Sequence, residues 1–133
     1  MRIAAPLRSE SAPQDCLPFQ HANIAIVPQL ETGGETLRRK FSQLLSLPAH
    51  CWRLGRAMAA ADAIHVRCPG NLGLLGAALA PLFSRRIVAK YAGQWHQGDF
   101  IAPAFRLQRW ILSSRWWRHG IVTVYGRWPD QPA

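Results

Sequence analysis

Short apolar runs alternate with amphipathic stretches along most of this chain, and their spacing sets the predicted elements. Residues 23–29, NIAIVPQ, form a compact apolar run closed by Pro28 and read as a strand leading into a turn at 31–34. Over 35–47, Leu37, Phe41, Leu44, Leu45 and Leu47 recur near helical spacing, while Arg38, Arg39 and Lys40 fall mainly on the other side. That pattern predicts an amphipathic helix ended by Pro48. A second helix is predicted over 49–61, AHCWRLGRAMAAA, from its Ala, Met and Leu content despite Gly55. Next come a strand at 63–68, a turn at Pro69 and Gly70 with Asn71 as N-cap, and an almost wholly apolar helix at 72–83. A strand at 87–91, a Gly-rich aromatic loop through Gly98, a helix over 104–118 and a strand at 121–125 complete the series.

Helices alternating with short, nearly continuous apolar strands indicate right-handed βαβ crossovers. The expected fold is α/β, a Rossmann-like parallel sheet with helices on both faces. Residues 1–22 carry Pro6, Pro13 and Pro18 among polar residues and read as an irregular segment in which 3–7 fits an edge strand. Residues 23–128 form the Rossmann-like domain, and 129–133 a tail.

Composition sharpens this picture. With 49% hydrophobic and 17% charged residues in 133, the chain has the balance of one folded domain. Sixteen Lys and Arg against seven Asp and Glu give +9, which favours an acidic partner: a phosphorylated ligand, an anionic lipid surface or nucleic acid. No nucleic-acid motif accompanies the charge, so that partner class is set aside. Cys16, Cys51 and Cys68 are odd in number and form no CxxC pair, which implies neither a disulfide framework nor a zinc site and fits a reducing cytoplasm. His21, His50, His96 and His119 form no HxxxH or HExxH pattern, so no metal is expected. No apolar run approaches the roughly 20 residues that a bilayer requires, leaving peripheral contact as the one form of membrane association.

The candidate chemistry lies at strand ends. AIHVRCPGN (63–71), RIVAKYAGQW (86–95) and IVTVYGRWPD (121–130) each end an apolar run with a cation beside a turn. In parallel strands, Arg67, Lys90 and Arg127 would share the carboxyl edge, where open α/β sheets bind ligands. The turn RCPGNLGLLG (67–76) brings Gly70 and Asn71 to a helix start suited to anions, or else its glycines let the helix approach the sheet. Its GxxGxxG spacing is not the dinucleotide fingerprint, so no nicotinamide cofactor is expected. Lys90, Tyr91, Gly93, Gln94, Trp95 and His96 join a cation, two aromatic faces and several donors, which suits a sugar or base ring; packing over the sheet is the competing role for Trp95. His65 and Arg67 share one strand face. On a helical wheel, Phe105, Leu112 and Trp116 share one side, with Leu107, Trp110, Ile111 and Trp117 roughly opposite. The second side needs a partner, which is another domain, a subunit or a membrane interface, or else the helix is central and buried on both sides within this domain. No nucleophile elbow, Walker loop or carboxylate pair is present, and Asp99 is the one acid in a candidate ligand loop.

From Phe19 onward the chain resembles the amino-terminal half of bacterial GT-B glycosyltransferases of the family 4 type. The resemblance is carried by ADAIHVRCPGNLGLLG (61–76), AKYAGQW (89–95), RLQRWIL (106–112) and VTVYGRWPDQP (122–132). It implies transfer of a sugar from a nucleotide-sugar donor to a polysaccharide or lipid-linked acceptor, without a bound metal. This chain would hold the sugar acceptor, and a donor-binding domain not included in it would hold the nucleotide sugar. The expectation is thus a partial enzyme, inactive alone, in the cytoplasm or at the inner face of the membrane. Arg67, Gly70, Asn71, Lys90, Tyr91, Gly93, Trp95 and Arg127 are the expected acceptor or phosphate contacts, with Asp99 and His96 as catalytic candidates. The alternative is a basic peripheral module that binds anionic lipid and does no chemistry.

Overall fold

The computed structural model describes residues 1–6, 21–29, 37–95, 102–127 and 131–132. It divides into two compact units, Met1–Ala57 and Met58–Ala133.

In the first unit, β1 (Arg2–Pro6) pairs in parallel with β2 (Ala25–Gln29), Arg2 opposite Ala25 and Pro6 opposite Gln29. The edge-strand reading of the first residues therefore holds, one residue early. The terminal amine of Met1 donates to the Asn23 carbonyl and anchors the start of the pair. Helix α1 (Leu37–Ala59) follows and keeps Pro48 in its interior. Two helices separated at Pro48 were expected; the structure has one. Proline lacks the N–H of a single ladder bond and crowds the carbonyl four residues earlier, a cost of about 3 kcal/mol in a helix interior. The run after it is rich in good helix formers, so the ladder continues through at the loss of that bond.

The second unit is a three-stranded parallel sheet in the order β3 (Ile64–Cys68), β4 (Ile87–Gln94), β5 (Ile121–Tyr125). Helix α2 (Asn71–Phe83) connects β3 to β4; α3 (Pro103–Ser113) and a 3-10 turn (Arg115–Trp117) connect β4 to β5. This is the parallel α/β, Rossmann-like layer that the alternation predicted. Burial alternates strictly along β3, with Ile64, Val66 and Cys68 in the core and His65 and Arg67 exposed. A sheet that grows in one direction through right-handed crossovers keeps its helices on one side. Accordingly, α2 and α3 cover one face of this unit where helices on both faces were expected, and the other carries His65, Arg67, Lys90, Thr123 and Tyr125 in the open.

The core joins Ile64, Val66, Cys68, Ile87, Ala89 and Tyr91 of the strands to Ala77 and Ala80 of α2, Leu112 of α3, and Trp95 and Trp117. Each large apolar side chain buried here contributes about 1.5–3 kcal/mol. Small residues set how close α2 comes to the sheet. A Cβ on Gly73 would stand 2.4 Å from the Arg67 carbonyl oxygen, and one on Gly76 3.0 Å from Val66 Cγ1. Close helix approach, one of the two roles the sequence allowed these glycines, is the role the structure gives them.

Three boundaries differ from expectation. Gly70, not Asn71, is the N-cap of α2, and its φ of 151° is open to glycine and strained for other residues. Strand β4 runs on to Gln94 where a loop was expected after Tyr91; the β5 ladder skips from the Tyr91–Val124 pair to Gln94–Tyr125. The two residues skipped, Ala92 and Gly93, form an irregularity of even length, so the period-2 alternation keeps its phase and Trp95 stays on the covered face with Tyr91. Finally, α3 ends at Ser113 and does not reach Arg118. The Ser114 hydroxyl accepts from the Trp116 N–H at 3.3 Å and starts the 3-10 turn. The change of helix type exchanges the two wheel positions, burying Trp117 and leaving Trp116 48% exposed.

Candidate functional site

Parallel pairing brings two of the three expected cations together. Arg67 is the register partner of Lys90 on the open face near the carboxyl end of the sheet, and Lys90 is in turn the partner of Thr123. Both cations are exposed. The Lys90 ammonium lies 5.3 Å from the centroid of the Tyr125 ring, a cation–π contact between neighbouring strands. Thr123 donates its hydroxyl to the Ala89 carbonyl at 3.3 Å. Arg127 follows the end of β5, past Gly126 with φ 89°, and is also exposed. His65 lies two residues before Arg67 on the same face, at the rung of Val88 and Ile121.

This row is strongly electropositive. Asp62 is the only acid among the described residues, and it lies at the other end of β3, before the strand begins. The face can therefore hold an anion against Arg67 and Lys90, and the Tyr125 ring adds a flat apolar edge. No general base accompanies the cations among the described residues except the imidazole of His65. The catalytic candidates Asp99 and His96 lie outside the described residues. Among those described, no group of three His, Cys, Asp or Glu is placed to hold a metal ion.

The remaining expected contacts divide between turn and core. Asn71 is exposed in the first turn of α2, which has no side-chain cap. A Cβ on Gly70 would meet nothing within 4 Å, so backbone conformation and not crowding favours glycine there. Tyr91 and Trp95 are 2% and 1% exposed, with centroids 5.1 Å apart in an edge-to-face pair at 74°. Their rings are thus spent on packing rather than offered to a ligand. Gly93 lies between them, and a Cβ there would come within 3.4 Å of Tyr91 Cε1 and Pro69 Cδ. Burial raises the Tyr91 phenol above its ordinary value, partly countered by the positive charge of Arg109 and reinforced by Cys68.

Beneath the turn lies a polar pair that sequence reasoning missed. Gln108 is fully buried, and its Nε2 donates to Cys68 Sγ at 3.0 Å; the thiol faces the Gly73 carbonyl at 3.8 Å. Burial pushes the Cys68 thiol up to about 12, so it stays protonated at neutral pH and is no nucleophile. Arg109 was also missed. It donates Nη1 to the Trp95 carbonyl and so ties α3 to the end of β4. The available signal was helical spacing: Gln108 stands four residues before the core residue Leu112, a place where an amide must be buried. Comparison with family models, with curated proteins and with solved structures finds no match to this chain.

Proposed function

We propose that this chain is the acceptor-side layer of a GT-B, family 4 type sugar transferase. In this reading the Arg67–Lys90 row holds a phosphate or other anionic group of a polysaccharide or lipid-linked acceptor, and Tyr125 and Arg127 border the same rim. The nucleotide-sugar donor is bound by a different domain, which also completes the catalytic apparatus, and the chain is inactive by itself. The observation that carries the reading is the in-register Arg67–Lys90 pair, exposed near the carboxyl end of a parallel sheet. The family-like segments 61–76, 89–95, 106–112 and 122–132 support it. The test supplies a family 4 type donor domain in trans and measures transfer of radiolabelled sugar to lipid-linked and polysaccharide acceptors. Transfer that is lost in Arg67→Ala supports the reading; absence of transfer with every donor domain removes it.

A second reading rests on a different observation. Leu107 and Trp110 are 48% and 68% exposed on α3, beside exposed Arg106. Exposed Trp and Leu flanked by arginines suit the interfacial zone of an anionic membrane. No helix among the described residues is long and apolar enough to cross a membrane. Flotation with phosphatidylglycerol vesicles tests this second reading, which fails if Trp110→Ala floats as well as the parent chain.

A further inference from the structure

The outer side of α3 carries a second basic feature, separate from the strand row. Arg106, Arg109, Trp110 and Ser113 lie three and four residues apart, a single stripe along the helix. They line a cleft of about 230 Å³ floored by Trp95. Every polar side chain in the described lining is a hydrogen-bond donor: two guanidinium groups, two indoles and a hydroxyl. Among the described residues, no carboxylate lines the cleft.

Arg109 is the fixed member. It is half-buried, and its bond to the Trp95 carbonyl holds the guanidinium in place. Its Nε is buried without a partner, so the charge is incompletely satisfied. Arg106 precedes it by three residues and is exposed, and like charges at that spacing destabilise a helix unless an anion lies between them. Trp110 offers a broad, largely exposed ring next to both. Two cations around a fixed geometry, a hydroxyl and a stacking face are the parts needed to bind a phosphorylated ring. A cleft of about 230 Å³ has room for a phosphate with one sugar-sized ring.

We propose that this cleft is a phosphate-binding site for a phosphate ester carried on a ring, with Arg106 and Arg109 on the phosphate and Trp110 against the ring. The inference does not depend on sugar transfer, because its residues are different from those of the Arg67–Lys90 row.

The test titrates the whole chain with glucose 1-phosphate, inorganic phosphate and glucose, following the indole N–H of Trp110 by NMR. Phosphatidylglycerol and phosphatidylcholine vesicles form a second arm. Glucose 1-phosphate should shift the Trp110 signal at saturable concentration, inorganic phosphate should bind more weakly, and glucose should leave the signal unchanged. Arg106→Ala should weaken binding about tenfold, the loss of one charge-assisted contact, and Lys90→Ala should leave it unchanged. Binding to phosphatidylglycerol alone, which carries no ring, would overturn the proposal by assigning the cleft to a lipid headgroup. The proposal is also overturned if Arg106→Ala binds as the parent chain does, or if glucose 1-phosphate leaves the Trp110 signal unmoved.

Discussion

Trp117 donates its indole N–H to the carbonyl of Ala77 at 2.8 Å, and Ala77 is the residue whose helical donor would have been the N–H of Pro81. Proline in α2 thus orphans a carbonyl, and a tryptophan 40 residues away along the chain satisfies it. The two features should be energetically coupled. In the parent chain, Trp117→Phe is expected to leave a buried acceptor without a donor. In a Pro81→Ala background, the restored N–H serves that acceptor and the same substitution should cost less. A double-mutant cycle read by urea unfolding should show coupling of about 1 kcal/mol. Strict additivity would show that the indole bond contributes nothing.

Trp117 of the 3-10 turn and Trp110 of α3 should separate stability from binding. Trp117 is 3% exposed and Trp110 68%. Trp117→Ala is expected to cost about 3–5 kcal/mol, whereas Trp110→Ala should stay within about 0.5 kcal/mol of the parent. Thermal and chemical unfolding check both values. A large loss of stability in Trp110→Ala would contradict its exposed placement.

Gly73 tests how tightly α2 is seated. Alanine has the better helix propensity by about 1 kcal/mol, which favours Gly73→Ala on local grounds. Its Cβ would meet the backbone oxygen of Arg67 at 2.4 Å, and a backbone atom cannot rotate away. The expected net effect is destabilisation by about 1–3 kcal/mol, measured by urea unfolding. Gly76→Ala, facing the Val66 side chain at 3.0 Å, should cost less.

Alkaline pH should weaken the second unit through Cys68. Its folded value of about 12 lies above the ordinary 9.0, so the stability linked to the protonated thiol is complete below about pH 9 and is lost as pH rises through about 12. The raised Tyr91 phenol acts in the same direction. Cys68→Ser keeps an acceptor for Gln108 and removes the ionisation, so it should flatten the alkaline limb of stability against pH. Residue-resolved thiol labelling at pH 8 should leave Cys68 unmodified in the folded chain. Rapid labelling of Cys68 without unfolding would contradict its burial.

The strand cations offer a contrast between stability and binding. Adjacent positive charges on neighbouring strands repel, and Lys90 meets the Tyr125 ring instead. Arg67→Gln is therefore expected to hold or raise the melting temperature while lowering affinity for pyrophosphate about tenfold, a loss of one charge-assisted contact. Titration calorimetry beside a thermal melt checks both halves. Unchanged pyrophosphate affinity would remove Arg67 from the site.

The amino-acid sequence by itself determined the element order, the parallel α/β class and the register-ready cations, because apolar periodicity and turn residues act locally and leave a local record. It placed Arg67 and Lys90 at strand ends, where pairing then set them side by side. What only the tertiary structure decided were properties that depend on distant partners. Pro48 stays inside α1, where local propensity read a boundary. Trp95 turns to the core beside Tyr91 because the irregularity at Ala92 and Gly93 has even length, and that length is fixed by pairing with β5. Gln108 is buried on Cys68, and Trp117 reaches Ala77, through bonds that span 40 residues in each case. Helical and strand patterns report which way a side chain points along its own element; whether a neighbour meets it there is settled by packing.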